Sequence, residues 1–187
     1  EDKDFYKHGG FDPMAPIRIV FNIFRFKRLT GASTLTQQLI KNAILSADKR
    51  LLRKYQEIVL ALELERRYSK DDILEMYLNT IYFGEGAFGI QDAAEKYFSK
   101  DAADLTLSES ALLAGLIQAP SAYSPISGDK EAAMKRKNLV LSLMSEQGYI
   151  SSIVKTQAQK EEISFKPSST DVNEGAIHFA LMVQDVL

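Results

Sequence analysis

Apolar side chains recur along most of this chain at the three-and-four spacing of a helix face, and seldom at the alternating spacing of a strand. Leu35, Leu39, Ala43 and Ile44 form such a stripe, which predicts a helix from Thr34 to Leu45 with Ser33 just before it. On its other side Gln38, Lys41 and Asn42 stand at i, i+3 and i+4, so they project together, either as a solvated face or as a row of ligand contacts. A longer helix is predicted from Leu51 to Tyr68. Its middle, Ile58 to Leu62, is apolar on every side, the pattern of a central helix enclosed by others. Glu57 stands at the edge of that stretch, with Leu60, Ala61 and Leu64 on its own side.

Ser69-Lys70-Asp71-Asp72 has the form of a capping box opening a helix that runs to about Asn79. Gly84, Gly86 and Gly89 make a flexible stretch before Ile90, Ala93, Ala94, Tyr97 and Phe98 restart a helical stripe. Ser108 and Glu109 open the next helix, Pro120 and Pro125 interrupt the chain, and Asp129 to Gln147 forms an amphipathic helix closed by Gly148. A short helix follows from Ser151 to Gln159. Apart from an extended stretch near Ile17 to Phe26 no strand pattern of any length appears, so the expected fold class is all-α. The polar, serine-rich run from Glu161 to Gly175 reads as a linker before a last apolar pattern from Ala176 to Leu187. The expected organisation is therefore one domain over residues 1–160, then a linker and the start of a following segment over 161–187.

Composition narrows the chemistry. A chain of 187 residues, 45% hydrophobic and 26% charged, is an ordinary globular chain with enough apolar surface for a core. Its 23 basic and 25 acidic side chains leave a net charge of -2, so no overall field recruits nucleic acid. The absence of cysteine excludes disulfides, thiolate nucleophiles and cysteine metal sites, and two histidines are too few for a histidine-rich metal cage. No run of apolar residues is long enough to span a bilayer. The abrupt start at Glu1-Asp2, inside a motif, leads us to expect an upstream segment that anchors the protein.

Candidate chemistry then gathers on two glutamates. Glu1 opens a segment that mixes titratable and aromatic groups down to Gly10, although position alone fits a frayed terminus as well. Glu57 has Arg53 at i-4, Lys54 at i-3 and Arg50 one turn earlier, which is either an ion-pair ladder or a cation cluster. With Lys41 and Lys49 from the preceding helix and loop, that cluster suits the oxygens of a pyrophosphate. Residues 17–29, from Ile17 to Leu29, are dense in aromatic, branched and basic side chains. They read either as a core segment or as a membrane-surface contact with Arg25, Lys27 and Arg28 against lipid phosphates.

Five segments, in order, carry a resemblance to a known family. Glu1-Asp2-x-x-Phe5-x-x-His8-x-Gly10, Gly31-Ala32-Ser33-Thr34-Leu35-Thr36-Gln37-Gln38-Leu39-Ile40-Lys41-Asn42 and Arg53-Lys54-x-x-Glu57 resemble the first three motifs of the peptidoglycan glycosyltransferases, glycosyltransferase family 51. Ile81 to Ile90 and Leu107 to Leu116, running on to Ala119-Pro120, continue the match. The run from Gly31 to Asn42 is the most specific of the five.

The resemblance implies a lysozyme-like, two-lobed helical domain with a substrate cleft. It implies polymerisation of lipid II into β-1,4-linked glycan, with inversion at the anomeric carbon and release of lipid pyrophosphate. By the same resemblance Glu1 is the general base, and Glu57 is the second catalytic carboxylate, organising the charged end of the leaving group. Ser33, Thr34, Gln38, Lys41, Asn42, Lys49, Arg50, Arg53 and Lys54 are expected to contact substrate. No cofactor is firmly required; a divalent cation, Mg2+ or Mn2+, stays open, with Glu57 as a candidate metal ligand. His8 is read as a structural hydrogen bond fixing the Glu1 loop, and the Ser33 hydroxyl also as a helix N-cap.

Implied partners are lipid II and the growing glycan chain, the membrane surface through residues 17–29, a C-terminal transpeptidase domain and other cell-wall synthesis proteins. The implied place is the outer face of the bacterial cytoplasmic membrane, in a bifunctional class A penicillin-binding protein sensitive to the phosphoglycolipid moenomycin. Two rival readings are a lysozyme-like glycan-cleaving enzyme and a noncatalytic helical module that docks on membranes. The Ser-x-x-Lys strings at Ser46 and Ser152 lack the companion elements of a transpeptidase and are set aside.

Overall fold

The computed structural model describes residues 2–10, 33–43 and 50–166. The chain divides into two compact units, one running to Thr80 and one beginning at Ile81. In the first, a short 3-10 turn (Phe5–Lys7) is followed by α1 (Leu35–Ala43), α2 (Arg50–Arg67) and α3 (Lys70–Thr80). Helix α1 packs on both α2 and α3. Its apolar stripe explains why: Leu35, Leu39 and Ile40 are buried, together with Ala61 and Leu64 of α2 and Ile73 and Tyr77 of α3. The capping box at Ser69 forms as its spacing predicts, with Asp72 accepting from the Ser69 amide and the Ser69 hydroxyl accepting from the Asp72 amide.

Helix α2 departs from the expected enclosed helix. Leu52, Tyr55, Val59 and Leu62 are exposed, and among its described side chains burial is confined to the side carrying Glu57, Ala61 and Leu64. An apolar stretch does not by itself reveal how many neighbours will pack on it, because that number is set by the other elements of the fold.

The second unit opens with a hairpin where a flexible glycine stretch was expected. Strands β1 (Tyr82–Gly84) and β2 (Ala87–Phe88) pair antiparallel around a turn in which Gly84, Glu85 and Gly86 all take positive φ. At Gly84 a side chain is also excluded by space, since a Cβ would lie 2.7 Å from the Tyr97 hydroxyl. That hydroxyl donates to the Phe83 carbonyl at 2.9 Å, and burial pushes its pKa up to about 12.

Helices α4 (Ile90–Phe98), α5 (Leu107–Leu116), α6 (Pro120–Tyr123), α7 (Lys130–Glu146) and α8 (Ser152–Lys160) complete the unit. Helices α5 and α7 are its main packing pair, with Leu112, Leu113, Leu116 and Leu141 excluded from solvent. The cap of α5 is Thr106 rather than Ser108: Thr106 accepts from the Glu109 amide and the Glu109 carboxylate accepts from the Thr106 amide, a complete capping box. Ser108 instead donates to the Ala158 carbonyl from within the helix. The run expected to be a linker begins as docked chain, because Phe165 stacks on Phe98, the Lys166 amide donates to the Tyr97 carbonyl, and Thr106 donates to Glu161. The fold is thus helical, as expected, with the hairpin as its departure among the described residues. No described helix is long and apolar enough to cross a membrane.

Candidate active site

The first residues of α1 organise the region. A helix start leaves backbone amides without partners, and two are satisfied by side chains: the Thr34 hydroxyl accepts from the Gln37 amide at 3.2 Å, and Asp2 accepts from the Leu35 amide at 3.1 Å. A carboxylate in that place also meets the positive end of the helix dipole. The N-cap is therefore Thr34, and the Ser33 hydroxyl, considered for that duty, is turned elsewhere. Thr34 keeps only 3% of its surface, and its own proton is donated to the Gly10 carbonyl at 2.8 Å.

Asp2 is itself held. His8 Nε2 lies 3.0 Å from both of its oxygens, and since a carboxylate only accepts, that nitrogen carries the proton. His8 thus fixes the loop that follows Glu1. Phe5 is buried beneath the Lys70 ammonium, 4.2 Å from the ring centre. The loop ends on α2 at Gly10, whose φ of +64° and whose missing Cβ, which would stand 2.8 Å from the Ala61 carbonyl, admit only glycine.

Glu57 is 4% exposed, on the buried side of α2. Lys54 Nζ stands 3.0 Å from one carboxylate oxygen and Arg53 Nε 3.4 Å from the other. The arginine contact is an ion pair without hydrogen-bond geometry, so its Nε proton finds no acceptor. Lys54 has a second commitment that spacing did not suggest. Its ammonium also donates to Ser33 Oγ at 2.9 Å and to Gln37 Oε1 at 2.8 Å, so all three of its protons are engaged. The segments around Gly10, Ser33 to Gln38 and Arg53 to Glu57 thereby meet in one polar cluster.

The other candidates are distributed unevenly. Lys41 and Asn42 are exposed at the end of α1, free to meet a ligand. Gln38 is partly buried and accepts from the Tyr77 hydroxyl at 3.1 Å. Arg50 is the first residue of α2. Glu1, Lys49 and the expected membrane-contact segment, residues 17–29, lie outside the described residues.

A divalent cation does not fit around Glu57 as it stands. Both of its oxygens face cationic side chains, and among the described residues no group of three or more histidine, cysteine, aspartate or glutamate side chains gathers to hold a metal. Sequence reasoning also passed over Gln37, which is 1% exposed and hydrogen-bonded at both ends of its amide. The signal was present: Thr34-Leu35-Thr36-Gln37 has the spacing of a capping box, which marks Thr34 as the cap and Gln37 as a residue with a backbone duty.

The comparison with family models decides what this cluster belongs to, since the model described as "Transglycosylase" matches residues 1–145. The chain belongs to the transglycosylase family. Among similar relatives, penicillin-binding protein 1F of Bacillus subtilis (strain 168) is 49% identical over 161 residues, 85% of this chain and 22% of its own. Penicillin-binding protein 1A of Neisseria lactamica is 43% identical over 188 residues, covering 100% of this chain and 23% of its own. The chain thus spans less than a quarter of the length of these curated relatives. A crystal structure of penicillin-binding protein 1A from Haemophilus influenzae superposes with a TM-score of 0.51 at 32% identity, over 81% of this chain and 19% of the other.

Proposed function

We propose that this domain is a peptidoglycan glycosyltransferase that polymerises lipid II, with Glu57 as one of two working carboxylates and Glu1 as the other. The observation that carries it is a single one: a transglycosylase-family chain buries the Glu57 carboxylate to 4% exposure between two cations, beside the cap of a helix that ends in exposed Lys41 and Asn42. Glu1 takes the proton of the acceptor sugar's 4-hydroxyl, and that oxygen bonds to the anomeric carbon of the growing chain as the carbon–pyrophosphate bond breaks. The α-linked donor becomes a β-1,4 link, and the lipid pyrophosphate leaves with the bonding electrons. Charge growing on the leaving group needs cations, and Lys41, exposed at the end of α1, supplies one.

Lys54 then acts within the protein, holding Glu57 and Ser33 in place. The domain, residues 1–160, works at the outer face of the cytoplasmic membrane, with an upstream anchor and residues 17–29 against the lipid surface. Its partners are lipid II, the growing glycan, a transpeptidase domain and cell-wall synthesis proteins, a setting supported by the length and names of its relatives. The test is polymerisation of purified lipid II by the full chain, with moenomycin as competitor. Glu1→Gln abolishes the reaction and Glu57→Gln slows it by about 100-fold or more, the scale of a lost acid–base or charge-organising group. Near-normal rates in both variants, or cleavage of finished glycan without polymerisation, would overturn the assignment.

A further inference from the structure

Gln37 stands apart from the other polar residues of α1 because both ends of its amide are committed inside the protein. Nε2 donates to the Gly10 carbonyl at 3.1 Å, and Oε1 accepts from the Lys54 ammonium at 2.8 Å. A carbonyl can only accept and an ammonium can only donate, so the bridge between them must present one donor and one acceptor at this reach. Glutamine meets that demand; glutamate brings two acceptors and methionine no donor. The side chain is 1% exposed, so water offers no substitute.

Beyond the amide the chain of contacts continues, since the same ammonium stands 3.0 Å from Glu57. The ammonium ends a flexible stem that is 41% exposed. Without an acceptor at Gln37 it keeps only Ser33 and Glu57 itself, and its position beside the carboxylate is held by one contact fewer on that flexible stem.

We propose that Gln37 is a positioning residue for the transfer reaction, setting the place of the Glu57 carboxylate through Lys54 and tying it, through Gly10, to the loop that follows Glu1. The inference rests on the glycan-polymerising function and deepens it. Gln37 touches no substrate at 1% exposure, so its loss acts on the chemical step and leaves substrate affinity in place.

The test is steady-state polymerisation of lipid-linked disaccharide-pyrophosphate by the full chain carrying Gln37→Met, Gln37→Glu, Lys54→Met or the Gln37→Met/Lys54→Met pair. Each Gln37 variant lowers kcat by roughly 10- to 100-fold, the cost of misplacing a catalytic group by about an ångström. KM stays within about twofold in each case, as expected for a group that makes no ground-state contact. The double variant is no slower than Lys54→Met alone, because Gln37 acts through Lys54. Multiplying effects in the double variant, a raised KM with kcat intact, or a near-normal rate for Gln37→Met would each overturn the proposal. If circular dichroism shows Gln37→Met unfolded, the isosteric Gln37→Glu, which keeps an acceptor for Lys54 and loses the donor to Gly10, decides by its kcat and KM alone. A folded wild-type chain that fails to polymerise the substrate overturns the polymerising function and this inference with it, whereas an active wild type indifferent to Gln37 overturns the inference alone.

Discussion

The two units bury polar side chains for different purposes. In the second unit, beginning at Ile81, each buried polar group serves backbone at the end of an element, even where Glu109 and Ser124 also bond to the side chains of Lys100 and Glu85. Ser108 and Lys137 donate to carbonyls at the end of α8, Glu109 completes the cap of α5, and Ser124 accepts from the amides of Ile126 and Ser127. In the first unit Thr34 does similar work, but Thr36 and Glu57 bond to side chains on other turns or other helices, and Gln37 divides its amide between the Gly10 carbonyl and Lys54. A polar group that caps a helix replaces water on a backbone atom and asks little of its neighbours. Side chains that bond to one another need every partner in place, because a buried member left alone keeps its full desolvation cost. The first unit accepts that dependence where the candidate chemistry lies, and the second rests more on backbone caps and apolar packing.

Removing apolar packing from the second unit gives the largest expected change in stability. Leu112 is fully buried in α5, so Leu112→Ala costs about 2–5 kcal/mol, the range for a leucine deleted from a core. Denaturant unfolding measures it, and kcat per folded molecule stays near the wild-type value; a loss of activity without a loss of stability would erase the distinction between the units. A smaller effect is expected in the first unit from Thr36→Val. Thr36 is fully buried and donates to Glu65, which also pairs with Lys70 at 2.7 Å. Leaving that carboxylate one donor short costs about 1–3 kcal/mol by chemical denaturation, and a neutral result would show that the network tolerates gaps.

The smallest effect concerns pH. Hydroxyls of Ser124 and Ser127 donate to Glu85 and hold its carboxyl below the usual glutamate range. A folded-state pKa below the unfolded one adds stability that is present above the unfolded value, about 4.3, and is lost as pH falls through the folded value. Glu85→Gln therefore flattens the decline of melting temperature with acidification below that value. Parallel curves for the two proteins would remove Glu85 from the stabilising groups.

Local signals in the sequence were read where the physics is local. The helix of Leu35 to Ala43, the longer helix beside it and the cap at Ser69 follow from spacing alone, because each depends on residues within one or two turns. The hairpin at Tyr82 was missed, since strands of three and two residues carry no periodicity. The exposed side of α2 was missed as well, because enclosure depends on partners distant in the chain. Of the candidate site, spacing along one helix placed Arg53 and Lys54 beside Glu57, whereas the Lys54 bonds to Ser33 and Gln37 cross between helices.

By itself the sequence determined the helical class, the family and the identity of the charged residues, all of which rest on short-range pattern and ordered motifs. Only the tertiary structure decided which of those charges are already spoken for. Lys54, a cation in any reading of the sequence, has its three protons on Ser33, Gln37 and Glu57, while Lys41 remains exposed. Hydrogen bonds are directional and short, so whether a side chain serves a ligand or its own protein depends on distances of a few ångströms between segments far apart in sequence.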